Sequence, residues 1–204
     1  MLIVGLTGSI GMGKSTALSY LRAKGVPVFD ADAEVHKIYV GETAQEIEKA
    51  FPGSTTVKGV DRHILSEKLA QDTDGFKRLE GIVYPLLEKR KLSFLKECQQ
   101  KGEKIVILDI PLLYETNMDK KVDVVLLVSA SAAIQRERVL SRPQMTEHKF
   151  EQLLSRQLPD SEKRKRAHFV VDTNGPLEST QRQLNAILEM ISERRGQAYA
   201  RYWN

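Results

Sequence analysis

Five short apolar runs are spaced along the chain: "LIVGLT" (2–7), "VPVFDAD" (26–32), "KIVILDI" (104–110), "VDVVLLV" (122–128) and "HFVVDT" (168–173). The later three are continuously apolar, the pattern of parallel strands covered on both faces. Helical periodicity separates them. After the first run, Ala17, Leu18 and Leu21 share a helix face and Gly25 supplies a stop. Near the end of the chain, "LNAILEMI" sets Leu184, Ile187, Leu188 and Ile191 on one side. Strands alternating with helices predict an α/β fold with a doubly wound, parallel, five-stranded sheet. Two stretches interrupt the alternation. Residues 33–103 carry only helical or turn-like patterns, with short helices expected at 43–51 and 64–69 and longer ones passing Pro85 over 76–100. Residues 141–167 form a charged helical pair punctuated by Pro143 and Pro159. Both read as inserts on the rim of the sheet.

Composition narrows the partners. The net charge of +4 suits an anionic substrate, but the basic residues are scattered, with no stripe to track nucleic acid. Cys98 is the only cysteine, so no intrachain disulfide forms and a reducing compartment is expected. Four histidines show no metal-ligand spacing. No run approaches the length of a membrane span, and the chain opens on a strand rather than a signal peptide. A cytoplasmic protein with neither membrane nor nucleic-acid partner is expected.

"GLTGSIGMGKST" (5–16) brings in the chemistry. Gly8, four residues, then Gly13-Lys14-Ser15 match G-x-x-x-x-G-K-[ST], with a strand before and an amphipathic helix after. Glycines let successive backbone amides turn inward around phosphate oxygens, and the helix start aims its free N–H groups at the same anion. Lys14 can reach the β- and γ-phosphates, and the Ser15 hydroxyl can ligate Mg²⁺. The guanine-reading N-K-x-D signature is absent, and the dinucleotide G-x-G-x-x-G spacing is not met.

Carboxylates and arginines complete the candidate set. Extended backbone at "DAD" would point Asp30 and Asp32 the same way, beyond the carboxyl end of a strand where such sheets bind ligands. One could orient an alcohol and take its proton; either could instead cap the following helix. Asp32, lying further out, is the favoured base. Asp109 ends an apolar strand as the Mg²⁺-associated acid of phosphate-loop proteins does, or it fills a turn before Pro111. Arg138 and Arg142 are four apart on one expected helix face, and Arg156 follows on the polar side of a helix bearing Phe150, Leu153 and Leu154. They read as phosphate contacts of a closing segment or as solvated surface. The "EKRKR" cluster (162–166) reads as a solvated face.

"GLTGSIGMGKST", "VPVFDAD", "DRHIL", "ILDIPLLYE", "RERVLSR" and "LSRQLPDSEKRKRAHFVVDTNG" together resemble the dephospho-CoA kinase family over nearly the whole chain. The resemblance implies transfer of the ATP γ-phosphoryl group to the ribose 3′-hydroxyl of dephospho-CoA, with Mg²⁺ and a phosphate-loop kinase fold. Residues 1–32 and 96–204 would form the nucleotide-binding core, 33–95 a helical CoA-binding insert, and 140–160 a small helical lid within the core. Gly8, Gly11, Met12, Gly13, Lys14, Ser15 and Thr16 would bind the ATP phosphates, with Arg142 and Arg156 as further ligands. Asn174 and Gly175 of "DTNG" would flank the adenine. Asp32, Lys14, Arg138 and Arg142 would carry catalysis, and Ser15 and Asp109 would hold the metal. Asp32, His36, Arg62, Leu112, Leu113 and Glu115 would meet the acceptor. Tyr84 stands where many members have histidine and Pro143 where an acidic residue is common, so those roles do not carry over. A monomer or weak homo-oligomer is expected. Another small-molecule kinase of the same build, and an ATP-dependent switch protein, remain the competing readings.

Overall fold

The computed structural model describes residues 1–41 and 43–204. In chain order, β1 (Leu2–Thr7), α1 (Lys14–Ala23) and β2 (Val28–Asp30) lead into α2 (Ala31–Val40) and α3 (Thr43–Ala50). The short strands β3 (Thr55–Thr56) and β4 (Gly59–Val60) precede α4 (Arg62–Ala70) and α5 (Gly75–Gln100). Then come β5 (Ile105–Asp109), β6 (Val124–Ser129), α6 (Ala132–Leu140), α7 (Glu147–Ser155), α8 (Asp160–Arg166), β7 (Phe169–Asp172) and α9 (Leu177–Ile191). Residue contacts divide the chain into two compact units, one of Met1–Phe29 with Leu95–Asn204 and one of Asp30–Phe94.

The larger unit is built on a five-stranded parallel sheet in the order β2-β5-β1-β6-β7. Registers Leu6↔Asp109 and Thr7↔Leu127 bring the carboxyl ends of the three middle strands level. The loop after β1 therefore starts beside Asp109. Alternate residues of β1 and β6 (Leu2, Val4, Leu6; Val124, Leu126, Val128) pack with Ala17, Leu18 and Leu21 of α1 and Leu184, Ile187 and Ile191 of α9. Removing such a patch from water is the main force seating the two helices, at about 25 cal/mol per Å² of apolar surface. No described helix is long and apolar enough to cross a membrane.

The smaller unit is mostly helical, around a core of Ile38, Ile47, Phe51, Leu65, Leu69 and Val83. It also contains an element that the helical pattern of 33–103 does not announce, the antiparallel hairpin β3–β4. The Glu48 carboxylate of α3 holds its entry by accepting from the Gly53 amide and from the Thr55 amide and hydroxyl. α5 is one helix through Pro85 rather than several. Proline removes one ladder donor, but Val83, Leu95 and Cys98, all buried, anchor the helix on either side.

Two expectations about side-chain direction are corrected. β2 stops at Asp30, whose Oδ1 accepts from the Ala33 amide at 2.9 Å and caps α2. Asp32 therefore sits in the first helical turn, and the two carboxylates do not project together from extended backbone. Capping satisfies an otherwise orphaned helix amide, which favours ending the strand there. Similarly α6 ends at Leu140 with Ser141 as its cap. Arg142 precedes Pro143, which disfavours helical backbone at that position, so Arg138 and Arg142 do not share a helix face.

Candidate active site

Between β1 and α1 the chain turns through Gly11 and Gly13, at φ +79° and +88°. Gly13 is also the N-cap residue of α1. A side chain at either would force left-handed backbone with a Cβ penalty. The amides of Gly11, Gly13, Lys14, Ser15 and Thr16 make no hydrogen bond among the described residues. They form a row of donors at a helix N-terminus, the arrangement that binds phosphate. Lys14 Nζ lies 2.7 and 2.9 Å from the two carboxylate oxygens of Asp109. Asp109 is almost fully buried, so the pair joins the loop's cation to the end of β5. Ser15 and Thr16 are exposed, with hydroxyls that no described residue engages.

The loop is braced from three sides. Ile10 donates its amide to Gln157 Oε1 (3.2 Å) and accepts at its carbonyl from Gln135 Nε2 (2.7 Å). Buried Met12 receives the Ala130 amide at its sulfur, 3.0 Å away, and its carbonyl accepts from the Thr173 hydroxyl at 3.0 Å. Gly8 packs against Val128. Arg138 donates to the Thr173 carbonyl at 2.6 Å and to its hydroxyl at 3.2 Å. Its guanidinium thus ties α6 to the 172–175 turn instead of pointing to solvent. Within that turn Asn174 Oδ1 accepts from the Ser131 amide at 2.7 Å, and Gly175 is exposed. Gln135 belongs to no charged or glycine-rich pattern, and Gln157 lies in "RQLPD", where only Arg156 has an expected role.

Arg142 and Arg156 are exposed, and their side chains have no partner among the described residues. In the "EKRKR" cluster, expected as a solvated face, Arg164, Lys165 and Arg166 are exposed, and Lys163 is the exception. Lys163 is completely buried, with Nζ 2.9 Å from Glu115 Oε1. The same oxygen accepts from the Leu158 amide at 2.7 Å. Burial pulls the Glu115 carboxyl upward, but the Leu158 amide and the Lys163 ammonium outweigh it and hold its pKa below the ordinary value. Arg164 donates to the Ser129 hydroxyl, and Arg166 pairs with Asp119 while lying 4.2 Å over the Tyr114 ring. Glu115 is thereby committed to the segment that follows α7. Leu113 is fully buried over Gly5 and Val122, and Leu112 is 39% exposed beside it.

In the Asp30–Phe94 unit a cavity of about 520 Å³ is lined by Asp32, Val35 and Tyr39 of α2, Arg62, Leu65 and Leu69 of α4, and Phe76 and Leu79 of α5. The α2 residues follow a helix repeat, so one face of α2 forms a wall. Arg62 stacks over the Tyr39 ring at 5.5 Å, and Phe76 is exposed. Asp32 and Arg62, far apart in sequence, are brought to one pocket. His36 is exposed on α2 and does not line it. The aromatic and aliphatic walls come from three separate helices, a combination that only tertiary packing assembles.

The family model described as dephospho-CoA kinase matches residues 2–179. The chain belongs to the dephospho-CoA kinase family. A dephospho-CoA kinase of Rhodopseudomonas palustris is 51% identical over 193 residues, which are 95% of this chain and 97% of the relative. A crystal structure of a Thermus thermophilus protein superposes with TM-score 0.77 at 33% identity, covering 93% of this chain and 97% of the other. A dephospho-CoA kinase from Campylobacter jejuni shares the fold, with TM-score 0.67 at 24% identity and coverage of 94% and 97%. The parallel sheet, the glycine loop and the helix behind it make this a phosphate-loop kinase fold, and membership of a dephospho-CoA kinase family implies ATP as phosphoryl donor.

Proposed function

We propose that this chain transfers the γ-phosphoryl group of ATP to the ribose 3′-hydroxyl of dephospho-CoA, releasing CoA and ADP. The observation that carries the donor half is the open row of loop amides with Lys14 clamped on Asp109 beneath it. Lys14 exchanges one partner for another when nucleotide enters, leaving Asp109 for the β- and γ-phosphate oxygens. Arg142 and Arg156 supply charge to the transferred group, because theirs are the guanidinium groups of 138–156 that are exposed and uncommitted. Arg138 acts through Thr173 and the Met12 carbonyl, as a positioning residue for the nucleotide's rim.

The acceptor is assigned to the pocket of Asp32 and Arg62. Arg62 pairs with phosphate there and the apolar walls take the rest of the molecule. Asp32 orients the attacking hydroxyl and receives its proton as the new P–O bond forms. ADP leaves with the electron pair of the broken bond.

The donor set at Ser15 and Asp109 fits Mg²⁺. Both are hard oxygen ligands, and no cluster of three acidic, histidine or cysteine side chains among the described residues could cage an ion alone. Magnesium is typically held by one or two protein oxygens plus phosphate and water. When bound it would offset charge on the phosphate oxygens. A single free cysteine, Cys98, supports a reducing, cytoplasmic setting.

Purified protein incubated with Mg²⁺·ATP and dephospho-CoA, AMP, CMP, pantothenate or adenosine tests the assignment. ADP should form only with dephospho-CoA, with a product one phosphoryl group heavier. Turnover of a nucleoside monophosphate instead would overturn the acceptor. Asp32→Asn should bind ATP as before and turn over roughly a hundredfold more slowly. Unchanged turnover would remove Asp32 from proton transfer.

A further inference from the structure

The amino ends of β1 and β6, opposite the phosphate loop, carry a second cavity of about 440 Å³. Lys120, Arg194, Arg195 and Arg201 line it, with Tyr202 and a single carboxylate, Asp123. That carboxylate is already spent on backbone. Its Oδ2 accepts from the Ile3 amide at 2.8 Å, and its Oδ1 from the Gln197 and Ala198 amides at 2.6 and 2.8 Å.

The floor is a built structure rather than a loose tail. Gly196 lies so close to the start of β1 that a Cβ there would fall 2.2 Å from the Met1 carbonyl oxygen. Trp203 donates its indole N–H to the Lys121 carbonyl at 2.8 Å. Residues 194–203 are thus pinned at both ends across the amino ends of β1 and β6, and the arginines stand on fixed backbone.

The charge balance is what sets this cavity apart. Some exposed cations of the molecule find carboxylates, as in Arg90–Glu34, Lys165–Glu162 and Arg166–Asp119, and single ones such as Arg142 and Arg156 do not; here four lie around one concavity. None of the four cations here makes an ion pair among the described residues. Converging like charges on one concavity raises a positive potential that an anion relieves. Guanidinium forks match phosphate oxygens two at a time, which carboxylate-poor surroundings reinforce. Tyr202, 43% exposed, adds an apolar wall.

We propose that this cavity is a second anion site, taking a small molecule with two or more phosphate groups, separate from the phosphate loop. Its occupancy is independent of the phosphoryl-transfer reading.

Isothermal titration of the full chain with sodium tripolyphosphate tests it, at about 0.15 M salt to screen diffuse attraction. Lys14→Ala weakens the phosphate loop and isolates the second site. The Lys14→Ala protein should still bind one tripolyphosphate per chain. Adding Arg195→Glu and Arg201→Glu should weaken that binding by about tenfold or more, the loss of charge-assisted hydrogen bonds. The milder pair Arg195→Gln and Arg201→Gln should act in the same direction if charge reversal disturbs the fold. Without the Lys14 change, the Arg195→Glu and Arg201→Glu protein should keep its kinase turnover. No saturable binding in the Lys14→Ala protein would overturn the proposal. Equal affinity with and without the arginine changes would overturn it as well.

Discussion

Arg142 and Arg156 lie close in sequence to Lys163, Arg164 and Arg166, yet the two groups have opposite fates. The first two are exposed and without side-chain partners among the described residues. The other three are engaged by Glu115, Ser129 and Asp119; Arg164 and Arg166 are exposed as well, and Lys163 alone is wholly buried. A cation withdrawn from water into an ion pair has lost the freedom to meet a ligand, and its removal leaves a buried charge alone. A cation left in water contributes little to folding and stays available. Charge density along the chain therefore says nothing about which arginines act; commitment does.

The largest effect expected from this contrast is on stability. Lys163→Met should cost about 3 kcal/mol, because the largely shielded Glu115 carboxylate loses its cation and keeps only the Leu158 amide. Urea unfolding measures this, and the double variant Lys163→Met, Glu115→Gln should recover part of the loss. A single-variant cost below about 1 kcal/mol, the range of surface pairs, would erase the distinction between the two groups. Arg142→Ala and Arg156→Ala should each leave stability within about 0.5 kcal/mol while lowering kcat by about tenfold or more. Equal kcat in both variants and the unmodified chain would class them with ordinary surface charge. The smallest effect concerns pH. Glu115 has a depressed pKa in the folded chain, so its contribution is complete above the unfolded value of about 4.3 and fades as pH falls through the folded one. The Tm gap between the unmodified chain and Glu115→Gln should narrow below about pH 4. A gap constant with pH would mean that the pair is not ionised.

Much of the larger unit was legible because its signals are local. Each strand is an apolar run of the right length, and the phosphate loop declares itself by glycine spacing. The register Leu6↔Asp109 then explains why an acid at the end of "KIVILD" finds Lys14. What escaped detection depends on competition or on distance. Asp30 and Asp32 look alike in the sequence, and only the capping bond to Ala33 separates them. The strands β3 and β4 have two residues each, too few to show alternation. A run such as "EKRKR" contains no hint that its second residue faces inward, since Glu115 lies far upstream. Arg62, Leu65, Phe76 and Leu79 join Asp32 only because three helices pack together.

Trp203 is the only tryptophan in the chain, and its ring is buried with the indole N–H held by Lys121. Ultraviolet emission excited selectively in that ring therefore originates from one point, near the amino end of β6 and remote from the nucleotide loop. A red shift that precedes loss of helical ellipticity on heating would time the peeling of residues 194–203 separately from collapse of the core. Simultaneous changes would instead make this terminal clasp part of a single cooperative unit.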